Sequence, residues 1–409
     1  MNLHVFNPEN DLALANFSPH FIPPRSARLM RDDLSVLPVW WAADGDVVWS
    51  GMSHCLEDYL NEVGCLIPDV KWCGKDEWLN VEVVCPWGWS PLLKQELLQT
   101  GCPDRLLPSE TEMAEYRVLS GRGCAVSLLS LLRSPENNLS EWRNRLCGRS
   151  FYCCEESDIV SLVTSYPETI LKAPWSGSGK GLRLGRGDYQ SPLTGWCRRL
   201  LKEQGGVVVE PLYRRRFDFA FEFFADDESV RYTGLSVFFT THRGTYGGNW
   251  VASEAVKEAW LEHYIPHAMR IALVKELSER LTDSLVGHYR GNLGVDMMLC
   301  DIGLSDGLAV HPCVEINLRR TMGQVAVDLS RWLASGSEAR FVIDYEKSDG
   351  VLWTDHQKRK QERPLLVHDK LLQDGYIALT PVTSHTHYRA RLEVCSKESS
   401  VLFNEISDT

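Results

Sequence analysis

Val314-Glu315-Ile316-Asn317-Leu318-Arg319-Arg320, with Asp296 nineteen residues before Glu315, is the stretch on which the reading of this chain turns. Asp296 lies in Gly294-Val-Asp-Met-Met-Leu299, and Glu315 and Asn317 close the run Ala309-Val-His-Pro-Cys-Val-Glu-Ile-Asn317. Both runs are short and apolar-rich, so both are expected as strands. Gly303, Ser305, Asp306 and Gly307 between them carry turn chemistry, which makes the pair a hairpin. On a strand, Glu315 and Asn317 are two apart and project to one face. Asp296, Glu315 and Asn317 are then hard oxygen donors aimed at one point, a set that suits Mg²⁺. The competing reading is a turn acid and a strand-end amide, both solvated.

A second signal lies upstream, in Ile170-Leu-Lys-Ala-Pro-Trp-Ser-Gly-Ser-Gly-Lys-Gly-Leu182. A short apolar strand ends in Lys172, and the loop Ser176, Gly177, Ser178, Gly179, Lys180, Gly181 follows. Glycine there lets backbone N–H groups approach an anion. The loop lacks the Gly-x-x-x-x-Gly-Lys-Ser/Thr order and the following helix of a Walker A loop. It is either a phosphate-covering loop between two strands or a hairpin tip. Next, Gly206-Val-Val-Val-Glu-Pro-Leu-Tyr213 reads as a buried strand ended by Glu210 and Pro211. Pro211 has no N–H, so the edge is expected to stay open beside an apolar wall, as an adenine ring needs. Asp218 opens the strand Phe219–Phe224.

These four blocks, in this order, resemble the ATP-grasp superfamily, chiefly carboxylate–amine ligases of the D-alanine–D-alanine ligase and glutathione synthetase type. The resemblance covers about 105 to 335 and implies ATP and Mg²⁺ as cofactors. It implies that Lys172 reaches the nucleotide phosphates and that Ser176 to Gly181, with Lys180, form a flap over them. It also implies that Glu210 and Leu212 form the adenine hinge, that Asp218 takes the ribose hydroxyls, and that Asp296, Glu315 and Asn317 hold Mg²⁺. Arg319 or Arg320 is similar to the arginine that neutralises phosphoryl or carboxylate oxygens. Two positions depart from the family. An earlier helical lysine is replaced, within Glu110–Leu119, by Arg117. The arginine often found two residues before the metal aspartate is Gly294, with Arg290 near it in sequence. The implied activity is ADP-forming ligation of a small-molecule carboxylate to an amine. A small-molecule kinase and a non-catalytic ATP-binding module are the alternatives.

The chain has 409 residues and 44% hydrophobic content, enough for two or three domains. The expected class is α/β and α+β. Residues 1–105 form a parallel α/β domain, 106–338 an ATP-grasp domain with two antiparallel-sheet subdomains, and 339–409 an appended subdomain. Strands are expected at Leu3–Phe6, Val36–Ala42 and Val81–Cys85, and helices at Arg25–Asp33, His54–Val63 and Pro91–Gln99. Asn7 to Asp11 and Pro86 to Trp89 follow strands and either cap helices or wall an acceptor site. Residues 252–285 read as a helix broken at Pro266. Thr240 to Asn249 is either a substrate loop, with Arg243 for a carboxylate, or a solvated connection. His311 is a partner of the oxygen donors or a core histidine, and Arg214–Arg216 is expected on a solvated turn. A net charge of −12 argues against nucleic acid. No apolar run reaches membrane-spanning length. Thirteen cysteines without Cys-x-x-Cys, and a start without signal-peptide features, imply a cytoplasmic protein with reduced thiols. Small-molecule partners are expected, and a homodimer is left open.

Overall fold

The computed structural model describes residues 1–51, 53–72, 78–176, 181–240, 246–305 and 307–396. Three sheets organise them. The first is a four-stranded parallel sheet in the order Lys71–Trp72, Val47–Trp49, Asn2–Val5, Val83–Pro86. The second is a small antiparallel sheet, ordered Phe151–Cys153, Val207–Pro211, Thr169–Lys172, Leu182–Gly185. The third has nine strands: Ala309–Asn317, Gly291–Asp301, Arg214–Ala225, Val230–Thr240, Tyr246–Val251, Glu338–Tyr345, Tyr388–Cys395, Leu371–Ala378 and Leu366–His368.

The large sheet has one apolar and one polar face where it matters. Phe219, Phe221 and Phe223 alternate along Arg214–Ala225 and point with Leu293, Val295, Met297 and Leu299 into one core. Met269, Leu273, Leu277, Leu281 and Leu285 recur every four residues on the helix His267–Leu285 and cover that face. Each such side chain contributes about 1.5–3 kcal/mol by leaving water. Alternation then forces Asp218, Ala220 and Glu222 onto the opposite face. The helix begins after Pro266, as expected, because a proline suits a helix start and not its interior.

Several expectations are corrected. Val36–Ala42 is not a strand. Leu37–Trp40 is a 3-10 helix, all four residues buried, and Pro38 has no N–H to give a ladder. The second parallel strand is instead Val47–Trp49. Arg214–Arg216 begins a twelve-residue strand and is not a turn, though all three side chains are exposed. The strand Glu338–Tyr345 pairs with Tyr246–Val251 on one side and Tyr388–Cys395 on the other. The C-terminal strands thus continue the central sheet across position 338. They also share a core with the first 70 residues, where Trp40 Nε1 and Tyr59 Oη both donate to Leu379 O at 2.7 Å.

Candidate active site

The hairpin Gly291–Asp301/Ala309–Asn317 is antiparallel, and its register sets Asp296 opposite Glu315 and Gly294 opposite Asn317. The pairing slips between Asp296 and Met298, and Pro312 falls in the slipped stretch, where its missing N–H breaks no ladder bond. On the other side of Gly291–Asp301, Gly294 pairs with Glu222, Asp296 with Ala220 and Met298 with Asp218. Three rows therefore cross the polar face: Glu222–Gly294–Asn317, Ala220–Asp296–Glu315 and Asp218–Met298–His311.

Burial and the facing Glu315 carboxylate push Asp296 up to about 7, against a hydrogen bond from Asn317 and the charge of Arg319. Two carboxylates with an amide beside them are short of positive charge, and all three offer oxygen. Among the described residues no three His, Cys, Asp or Glu side chains gather as a complete metal cage. The donor set fits a hard divalent cation that keeps waters or phosphate oxygens in its shell, as Mg²⁺ does.

Arg319 lies beside this set. Its Nη2 donates to Asn317 Oδ1 at 3.0 Å, and Nε and Nη2 each reach a carboxylate oxygen of Asp11 at 2.8 Å. Arg320 turns away, over the Trp41 ring at 4.5 Å and in an ion pair with Asp328. The two arginines held open by the sequence are thus separated, with Arg319 alone at Asn317. The Pro86–Trp89 segment fixes their turn: Arg320 N donates to Trp87 O at 2.8 Å, and a Cβ on Gly88 would stand 3.0 Å from Arg319 Cβ. Asn10 and Asp11 line a cleft with Ser120, Trp175, Ser176, Glu315 and Asn317. Of the Asn7–Asp11 cluster, Asn10 and Asp11 therefore face the donor set, and Asn10 is also the first residue of the helix Asn10–Asn16.

Lys172 and Glu210 form a buried ion pair at 2.8 Å, and Lys172 Nζ also donates to Val314 O at 3.3 Å. The Glu210 carboxylate accepts from Ser150 Oγ at 2.8 Å as well, so its side chain is committed inward. Val207–Pro211 is an inner strand of its sheet, paired on both sides up to Val209. Leu212 is exposed, and its N–H donates to Glu168 O at 3.0 Å, while on the Phe151–Cys153 side the pairing ends at Val209, before Glu210 and Pro211. Asp218 accepts from Arg215 at 2.6 Å and from Thr240 Oγ1 at 3.2 Å. Arg117 does not reach the donor set. It is held between the rings of Phe17 and Trp175, at 5.0 and 4.7 Å, and donates to Ala15 O. His311 is fully buried, edge-on to Tyr213 at 5.6 Å, with no hydrogen-bond partner on either ring nitrogen among the described residues. Burial lowers it to about 4, against the pull of Glu210. Gly177, Ser178, Gly179, Lys180 and Arg243 lie outside the described residues.

The chain overlays on pyruvate carboxylase from Rhizobium etli with a TM-score of 0.52 and 11% identity, over 97% of this chain and 36% of that one. The chain has the ATP-grasp fold. Weaker overlays include N5-carboxyaminoimidazole synthetase from Staphylococcus aureus complexed with ADP, with TM-score 0.48, 12% identity and 99% and 95% of the two chains. They also include an L-amino acid ligase from Bacillus licheniformis, with TM-score 0.44, 14% identity and 100% and 97% coverage. No family model and no curated protein matches the sequence. Within the ATP-grasp fold of this chain, two residues at the site escaped the sequence reading. Arg122 donates to Glu315 Oε1 at 2.8 Å from the start of the helix Arg122–Leu132. Glu222, 1% exposed, leans over Gly294, where a Cβ would meet its Oε2 at 2.8 Å. Burial raises Glu222 to about 8, opposed by a hydrogen bond from Thr321. Its signal was present: a carboxylate two residues beyond Ala220 and four beyond Asp218, inside an aromatic run.

Proposed function

We propose that this protein is an ATP-dependent ligase that activates a small-molecule carboxylate as an acyl phosphate and joins it to an amine. The observation that carries the reading is Asp296 opposite Glu315, with Asn317 and Arg319 beside them, on the one polar face of the sheet. Asp296, Glu315 and Asn317 would hold Mg²⁺, which supplies charge neutralisation to phosphate oxygens when bound.

The substrate carboxylate oxygen attacks the γ-phosphorus of ATP, the bond to the β-phosphate oxygen breaks, and ADP leaves. The amine then attacks the acyl carbon, phosphate departs with the bonding electrons, and the amine proton passes to water or a carboxylate. No side chain acts as a nucleophile, so positioning and charge do the catalysis. Arg319, kept in place by both Asp11 oxygens, presents its guanidinium next to Asn317, where oxygens of the transferring group would gather. Lys172, neutralised by Glu210, keeps the end of its strand against Val314. Asn10, Asp11 and Trp175 wall the cleft into which the acid and amine would enter.

The test is release of ADP and phosphate from ATP with paired pools of acids and amines, with Glu315→Gln as blank. ADP and free phosphate that both require an amine support ligation. Phosphorylated acceptor without free phosphate would replace ligation by kinase chemistry, and no ADP with any pool would leave a binding module.

A further inference from the structure

Arg122 carries a charge into the site from a helix whose other buried residues are Ala125, Leu128, Leu129 and Leu132. It is 5% exposed, and its guanidinium is held on three sides. Nη1 donates to Ala173 O at 2.6 Å and to Ser176 Oγ at 2.7 Å, while Nη2 donates to Glu315 Oε1 at 2.8 Å. Its backbone N–H donates to Pro174 O at 3.0 Å. The preceding Gly121 is closely packed, since a Cβ there would stand 3.1 Å from Val118 O and 3.2 Å from the Trp175 ring. The 173–176 segment is thus drawn against the helix start, and through Arg122 against the donor strand.

The charges around Glu315 are unequal. Among the described residues, the two facing carboxylates, Asp296 and Glu315, have one guanidinium in direct contact. A divalent cation on Glu315 would place two positive groups on one carboxylate. The repulsion is relieved when Arg122 releases Glu315 Oε1, which leaves a buried guanidinium on the neutral Ala173 O and Ser176 Oγ, a costly state. A polyphosphate arriving with the cation supplies the anionic oxygens that remove this cost.

We propose that Arg122 is an internal competitor of the metal: it occupies Glu315 and gives it up only to a divalent cation that brings a polyphosphate. Metal alone then binds weakly, and metal and nucleotide bind with positive coupling that runs through Arg122. The inference rests on the reading of Asp296, Glu315 and Asn317 as the metal set.

The test measures Mn²⁺ affinity by electron paramagnetic resonance, with and without ADP, for the wild type, Arg122→Met and Arg122→Lys. Arg122→Met should bind Mn²⁺ alone about tenfold more tightly, and the ratio of affinities with and without ADP should fall by a similar factor, because coupling is reciprocal. Arg122→Lys keeps the charge on a shorter stem that cannot span all three acceptors, so it should tighten Mn²⁺ alone by about threefold. It is the safer variant if the methionine protein fails to fold. Unchanged or weaker Mn²⁺ binding in a natively folded Lys or Met variant would overturn the proposal. Equal Mn²⁺ affinity of the wild type with and without ADP would overturn it too. Absence of Mn²⁺ binding even with ADP would instead sink the reading of the metal set itself.

Discussion

Two clusters of charge in this molecule are built from the same residue types and behave in opposite ways. In the C-terminal strands, Arg389 is 1% exposed, with Asp344 and Asp355 each at 2.6 Å from its Nη2. Arg391 Nε reaches Asp344 at 2.6 Å, and Arg359 joins through Asp355 and Glu393. Burial works to raise Asp344 and Asp355, but the arginines prevail and both carboxyls sit below their usual range. At the hairpin, carboxylates outnumber cations among the described residues. Asp296 is pushed up to about 7 and Glu222 to about 8, burial being the larger cause in each. One cluster closes its own charge balance and holds strands together. The other leaves a deficit that a cation and its ligand would fill, which is the pattern expected of a working site.

The sharpest way to separate the clusters is to remove one carboxylate from each. Asp344→Ala should destabilise the fold by about 3–5 kcal/mol, since it leaves Arg389 and Arg391 buried and underpaired. A urea titration reads this, and nucleotide affinity of the folded fraction should be unchanged. Asp296→Asn or Glu315→Gln should do the reverse, lowering the rate of ADP formation by about 100- to 1000-fold, by analogy with loss of one transition-state donor. A loss of more than about 3 kcal/mol of stability in Glu315→Gln would mean that its pair with Arg122 is a structural bridge of the C-terminal kind.

Arg319 and Arg320 sharpen the contrast within one turn. Arg319→Ala should lower kcat by about 100-fold with little change in Tm. Arg320→Ala, which loses Trp41 and Asp328, should shift Tm by a few degrees, about 1–2 kcal/mol, and leave kcat within about threefold. The opposite assignment would exchange the roles given to the two side chains.

A further contrast is the pH dependence of stability without metal. Asp296 and Glu222 have folded pKa values above their ordinary ones, so their contribution is full below about pH 4. It is lost as pH rises through about 7 and 8. Asp344 and Asp355 act with the opposite sign, and their contribution is lost as pH falls below the ordinary carboxylate range. Glu222→Gln, which imitates the protonated acid, should therefore gain several kcal/mol on the wild type at pH 9, up to about 5, and less than about 1 kcal/mol at pH 5. Mg²⁺ with ADP should reduce the loss of stability at high pH that comes from Asp296.

What the sequence revealed and what it hid follow from the range of the interactions. The hairpin was legible because alternation and turn residues are local, and Asp296, Glu315 and Asn317 lie within one supersecondary unit. Leu37–Trp40 was misread because an apolar run fits a buried strand and a buried 3-10 helix alike, and what decides is contact with Leu379, more than 300 residues away. Arg122 was invisible for the same reason, its partner Glu315 being 193 residues distant. Lys172 and Glu210 were both singled out, but their pairing with each other depends on strand order, which residue spacing does not encode.

In the proposed reaction the hairpin carboxylates hold a metal–nucleotide pair. Calorimetric titration of ADP into the protein, with Mg²⁺ and with chelator, tests it most directly, with Glu315→Gln alongside. Binding should strengthen at least about tenfold with Mg²⁺ in the wild type, and by less than about twofold in Glu315→Gln. Equal ADP binding in Mg²⁺ and chelator, or a variant that keeps the full Mg²⁺ gain, would contradict it.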